Sequence, residues 1–182
     1  MTGVFTISIQ KHNKIDISIF TGFAMKLRKS LCYSATWISL TMGIVIGYLL
    51  GLNYSNVILC IIGWSLFILG FYIHYLSHRE HPKAHLDTKD VDYVAKHGIY
   101  AWVRHPGYLG LILAFFGLAL AFGSIPALII ALALTFYHYY LAIKEEKEML
   151  KKFSDTYAEY MREVPDRFLP IRKIIRDLRR AR

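Results

Sequence analysis

Cysteine is scarce in this chain. Cys32 and Cys60 are the two among 182 residues, and both sit inside apolar runs. That excludes a disulfide-stapled scaffold and a cysteine-built metal set, and leaves both as small buried hydrophobes. Charge is missing where it would matter most. The run Leu31–Gly51 contains no charged residue, and the connections at 52–56 and 123–124 contain no Lys or Arg. Residues 1–30 lack the apolar stretch of a cleaved signal peptide and read as an N-terminal interfacial or disordered arm. Near-identical repeats, low-complexity segments and nucleic-acid-binding motifs are absent as well, so the net charge of +9 needs another explanation.

What is present is grease. Hydrophobic residues make up 55% of the chain and aromatics 15%, with a mean hydropathy of +0.35, too apolar for an ordinary soluble domain of this length. Four stretches are candidate spans: 31–51, 57–76, 106–122 and 125–143. The first two reach the roughly 20 residues a bilayer core requires, and the third is short. Only Gly123-Ser124 separates the third from the fourth, and Pro126 suits the first turn of a helix. This pair therefore reads as a tight antiparallel hairpin.

The basic residues sort by segment. Five lie before the first run, five in the 77–107 loop, and the remaining twelve of the twenty-two follow from Lys144 onward. The positive-inside rule then places both termini and the 77–107 loop in the cytoplasm, and accounts for the excess charge through membrane lipids without nucleic acid. Met149, Leu150, Phe153, Tyr157 and Tyr160 recur at helical spacing after the fourth run. They predict a cytoplasmic amphipathic C-terminal helix. The fold class expected is all-α, an integral membrane bundle of about four transmembrane helices.

Titratable groups gather at the polar ends of the hairpin. Arg104-His105-Pro106-Gly107-Tyr108 opens its first arm, and Lys144-Glu145-Glu146 closes its second. An antiparallel hairpin brings both ends to one face, so a basic-aromatic cluster meets an acidic pair there. Pro106 at a helix start leaves the positive end of the dipole near His105, a setting for an anionic group. The pair of clusters fits a zwitterionic ligand, with its carboxylate toward Arg104 and His105 and its amine or ribose toward a glutamate. Ordinary snorkelling or helix-end charges would look the same on spacing alone.

At these residues the sequence resembles the isoprenylcysteine carboxyl methyltransferases and the related phospholipid methyltransferases. The resemblance runs through Gly98-Ile99-Tyr100, Arg104-His105-Pro106-x-Tyr108, a hydrophobic hairpin ending Glu145-Glu146, Phe153-x-x-x-Tyr157-x-x-Tyr160 and Arg167-Phe168-x-Pro170, and covers about residues 57–170. It implies an integral membrane enzyme that binds S-adenosyl-L-methionine at the cytoplasmic face and transfers its methyl group to a prenylated cysteine or lipid. It further implies a methyltransferase domain over 31–182 with its cofactor site at about 85–170. The cofactor-lining positions carried over are His85, Asp92, Tyr93, Val94, Ala95, Tyr100, Arg104, His105, Pro106, Gly107, Glu145 and Glu146, with Arg104 and His105 the catalytic candidates and Tyr108 and Leu141 at the acceptor. Leu141 is a departure: members acting on prenylcysteine can carry arginine there, where it would pair with a carboxylate. Two readings of a different class stand beside this one. His74, His78, His81 and His85 fall close together, with an i, i+4 pair that can bind metal, and a non-catalytic membrane scaffold would show the same hydropathy.

Overall fold

The computed structural model describes residues 34–83, 88 and 90–180, so the arm at 1–30 and His85 lie outside the described residues. Helices α1 (Ser34–Leu49), α2 (Val57–Glu80), α3 (Pro106–Ala121), α4 (Ile125–Glu163) and α5 (Ile171–Arg180) follow one another. A short 3₁₀ turn, Gly98–Ala101, precedes α3. Among the described residues there is no strand, only an isolated bridge between Asn53 and Ser124. Contacts divide the described chain between Thr41 and Met42, and everything that builds the site lies after that point.

Two helices, α2 and α4, are long and apolar enough to cross a membrane, while α1 and α3 are apolar but shorter. The marginal third run is thus a helix of 16 residues, roughly 24 Å long at 1.5 Å per residue. The outward faces remain apolar. Ile58, Ile61 and Ile68 on α2 and Ile129 and Phe136 on α4 are each more than 60% exposed, as expected where lipid is the solvent.

The hairpin forms as its turn residues predict. Ser124 caps α4 by accepting from the Ala127 N–H, and proline occupies the first turn. Gly123 has φ 59°, and the Tyr54 carbonyl presses against the side a Cβ would fill, so glycine is needed there twice over. The bridge is reinforced by Tyr54 N–H donating to Gly123 O at 2.9 Å, Ile125 N–H donating to Leu52 O at 3.2 Å and Ser124 Oγ donating to Gly43 O at 3.0 Å. The two uncharged connections therefore meet at one end of the bundle, as their lack of Lys and Arg required.

Helices α2 and α3 approach almost backbone to backbone. Gly70 of α2 and Gly110 of α3 face each other so closely that a Cβ on either would lie 2.5 Å from the other's carbonyl oxygen, and a Cβ on Gly117 would lie 2.5 Å from the Phe67 nitrogen. In lipid, where apolar side chains gain nothing by leaving solvent for protein, such small-residue seams are what let helices associate. His138 lies within the fourth run, buried, with its ring Nδ1 satisfied by the Leu134 carbonyl at 2.7 Å; it is a core residue of α4.

The amphipathic tail continues from the apolar Ile125–Ile143 part of α4, but not in a straight line. Ser154 breaks the helix at φ 40°, ψ −114°, a strained conformation for a non-glycine residue. The break turns Tyr157 and Tyr160 into a small core with Val164, against which Val94, Met149, Leu150 and Phe153 pack. The five residues at helical spacing all reach this core.

Gly117→Val should overpack the α2–α3 seam and cost about 1–3 kcal/mol. Thermal unfolding in detergent micelles should show a lower midpoint for it than for Ile129→Val on the exposed face of α4.

Candidate active site

The sequence clusters at the hairpin ends do meet. Pro106 fixes the first turn of α3 and makes His105 its N-cap, which aims Arg104 and His105 at the polar continuation of α4. Glu146, one residue past Glu145, turns inward and is 4% exposed. Its Oε1 accepts from Arg104 Nε at 2.9 Å, from His105 Nε2 at 3.1 Å and from Arg167 Nε at 3.0 Å. Its Oε2 accepts from Arg167 Nη2 at 2.8 Å. Arg104 also donates from Nη1 to the Val164 carbonyl at 2.8 Å. One carboxylate thus ties together the loop before α3, helix α4 and the segment after α4.

That third segment, 164–168, straps back over the hairpin ends. Arg104 N–H donates to the Asp166 carbonyl and His105 N–H to the Arg167 carbonyl, both at 3.0 Å. Arg167 continues to Tyr139, whose hydroxyl accepts from Nη1 at 2.8 Å, with the guanidinium 5.1 Å from that ring. Arg167 carries as much of the cluster as Arg104 does, and charge patterning along the chain did not single it out. Its only sequence signal was the Arg-Phe-x-Pro stretch, in which a lone arginine in a loop has no periodicity to show its direction.

Glu145 behaves differently from its neighbour. It accepts from the Tyr108 hydroxyl and lies 3.7 Å from His105 Nδ1, with its side chain 43% exposed. His105 therefore bridges the two glutamates, and its ring stacks on Tyr108 at 5.7 Å with 17° between planes. The acidic pair is divided: Glu146 is structural in its surroundings, and Glu145 presents acceptor oxygens at the surface.

The other candidate positions surround this centre. Tyr100 is buried, its hydroxyl 2.8 Å from Ser77 Oγ and its carbonyl accepting from the Tyr160 hydroxyl at 2.8 Å. Burial pushes the Tyr100 phenol up to about 12, so it stays a neutral hydrogen-bonding group. Val94 joins the Tyr157–Tyr160 core, and Ala95 next to it is half-buried. Asp92 instead pairs with Lys83 at 2.7 Å, and the Tyr93 hydroxyl lies 2.8 Å from His81 Nδ1, both within the loop. Gly107 takes its place through its backbone, its carbonyl 3.1 Å from His74 Nδ1. Leu141 is half-buried on α4. The histidine neighbours pair locally: His74 and His78 approach to 3.1 Å through Nε2. Among the described residues no group of three potential metal ligands converges.

Comparison with known proteins decides the lineage. The phospholipid methyltransferase family profile matches residues 58–156, more than half of the chain. The chain belongs to the phospholipid methyltransferase family. A protein-S-isoprenylcysteine O-methyltransferase of Schizosaccharomyces pombe is similar to it, 33% identical over 69 residues, which are 37% of this chain and 29% of that protein. The chain therefore matches less than a third of that relative's length. Membership makes it an integral membrane protein of methyltransferase type, and the matched range contains α2, the 3₁₀ turn, the α3–α4 hairpin and the acidic pair. Arg167 and the strap lie beyond it.

Charge balance in this cluster follows from Glu146. Burial alone would push its carboxyl up, but hydrogen bonds from His105, Arg167 and Arg104 overcome that and hold it well below the ordinary 4.5. The Glu146 bond in turn raises Arg167 above its usual value. With the folded value depressed, the unfolded chain takes up the proton first. The cluster's contribution to stability is complete above about pH 5 and drains away as pH falls below the ordinary carboxylate value. Glu146→Gln removes the counter-charge of two arginines and should cost roughly 3 kcal/mol, the low end for a broken buried pair because Arg167 is partly exposed. Glu145→Gln should stay within about 0.5 kcal/mol of the parent. Denaturant unfolding of both variants at neutral pH checks the contrast.

Proposed function

We propose that this chain is an S-adenosyl-L-methionine-dependent methyltransferase whose acceptor is lipophilic and whose site opens at the cytoplasmic face. The observation that carries the reading is the division of the acidic pair: a buried glutamate locks three basic groups in place, and the glutamate beside it is half-exposed against the Tyr108 hydroxyl and the buried His105 ring. A zwitterionic, sulfonium-bearing donor calls for that donor set. It needs an acidic acceptor, aromatic faces and neighbouring cations whose own charge is already balanced, and Glu145, Tyr108, Phe168, His105 and Arg167 supply these. The bound donor would bring a methyl group already activated by the sulfonium.

The protein's own task is then positioning and exclusion of water. In the proposal Glu145 accepts from the amine or ribose hydroxyls. His105 and the exposed edge of Arg167 take the donor's carboxylate. Arg104 and Glu146 are positioning residues that hold His105 and Arg167 in register. Tyr100 and the 92–95 stretch line the loop side, and Tyr108 and Leu141 mark the side from which a lipid-borne acceptor arrives between helices. The positive-inside distribution of Lys and Arg supports a cytoplasmic position for this face.

A prenylated cysteine carboxylate is the favoured acceptor, supported by the motif resemblance and by the name of the yeast relative. A carboxylate needs no base, and the buried His105 and Glu146 are already engaged with each other. A phospholipid amine is the second reading, favoured by the matched family and by Leu141, which puts no cation opposite a carboxylate.

Binding of S-adenosyl-L-methionine to detergent-solubilised protein, measured by calorimetry, tests the site. Saturable binding is expected, and Glu145→Ala should weaken it roughly 10- to 100-fold, the loss of one or more charge-assisted hydrogen bonds, without lowering the unfolding midpoint. Unchanged affinity in Glu145→Ala would remove Glu145 from the site.

A further inference from the structure

Helix α5, of 10 residues, divides its surface sharply. Ile171, Ile174, Ile175 and Leu178 are each between 45% and 63% exposed. At helical spacing they form one stripe within an arc of roughly 100°. Arg172, Arg176 and Arg179 are exposed along one flank of that stripe and line one concavity with Ile175. Lys173 lies 4.9 Å from the Trp102 ring and 3.3 Å from Asp177. The described residues leave the apolar stripe uncovered. A nucleic acid would meet the cations and leave four large aliphatic side chains in water. An anionic lipid surface takes both, headgroups against the arginines and acyl chains against the stripe.

The same helix is bonded to the clamp. Buried Asp166 accepts at Oδ2 from the Arg172 and Lys173 backbone N–H groups at 2.8 and 3.1 Å. Its carbonyl holds the Arg104 N–H, and the next residue, Arg167, grips Glu146. The first turn of α5 and the strap over the hairpin ends are therefore one hydrogen-bonded piece.

We infer that α5 docks in the plane of the anionic leaflet of the membrane holding this protein, and that docking holds the 164–168 strap against Glu146 and the 104–105 backbone. The inference rests on membrane placement and is independent of methyl transfer. It is tested on the full chain with Cys32→Ser, Cys60→Ser and Leu178→Cys, carrying an environment-sensitive fluorophore at 178. Protein is reconstituted into vesicles of phosphatidylcholine or an equimolar mixture with phosphatidylglycerol, with brominated acyl chains as quencher. Strong quenching is expected in the mixture and little in phosphatidylcholine alone. Arg172→Gln/Arg176→Gln/Arg179→Gln should shift the docked-to-undocked ratio by on the order of 100-fold, roughly five-fold per cation. Amide exchange at 164–168 should slow in the mixture for the parent and not for the triple variant. Equal quenching in both vesicles, or in the triple variant, would overturn docking. Exchange indifferent to docking would overturn the link to the strap. Protection of the label by added RNA but not by anionic lipid would assign the surface to nucleic acid and overturn the proposal.

Discussion

A single carboxylate holds the functional end of this molecule together. Glu146 on α4 receives hydrogen bonds from Arg104 and His105 before α3 and from Arg167 after α4, so it joins three separate parts of the chain. Take the charge away and two arginines and a histidine face one another at hydrogen-bonding range with nothing between them. Burying such a cluster is costly, and a bare pair rarely returns the cost of desolvation. Here the geometry is satisfied almost completely, through the fork of Arg167, the second bond of Arg104 to the Val164 carbonyl, and the backbone pairs from 104–105 to 166–167. The result is a rigid frame beside which Glu145, the adjacent residue, stays half-exposed against Tyr108 and His105.

That frame exists only because the apolar part of the chain delivers its ends to one place. Gly123, Ser124 and the proline in the first turn of α4 reverse the chain within a few residues. The glycines shared by α2 and α3 let those helices approach at backbone distance, which seats the 3₁₀ turn and Tyr100 against Ser77 of α2. The Ser154 break then returns Tyr157 and Tyr160 toward Tyr100 and Val94. Lipid-facing helices, a satisfied ionic frame and an aromatic core beneath it form consecutive layers along α4.

The apolar runs, the hairpin and the meeting of Arg104-His105 with the acidic pair were legible in the sequence, because uncharged runs and turn residues report topology directly. Which glutamate faces inward was not. Neighbours on a helix point roughly 100° apart, and the choice is made by packing of buried Ala142 and His138 further up α4. The part played by Arg167 was equally hidden, since a loop arginine about twenty residues from its partner leaves no periodic trace. The pairings of Asp92 with Lys83 and of Tyr93 with His81 were also hidden, since they lie within a loop that has no periodicity. The Ser154 break has a weak signal at most, serine being a mediocre helix former.

In the proposed function this frame serves methyl transfer to a lipophilic acceptor. The most direct measurement is incubation of the reconstituted protein with methyl-labelled S-adenosyl-L-methionine and a panel containing a prenylated cysteine, phosphatidylethanolamine and a small thiol, followed by identification of labelled product. Label is expected on the prenylcysteine carboxylate, or on the lipid amine if Leu141 governs the choice. Label on no lipophilic acceptor, with the donor bound and the protein folded, would contradict that function.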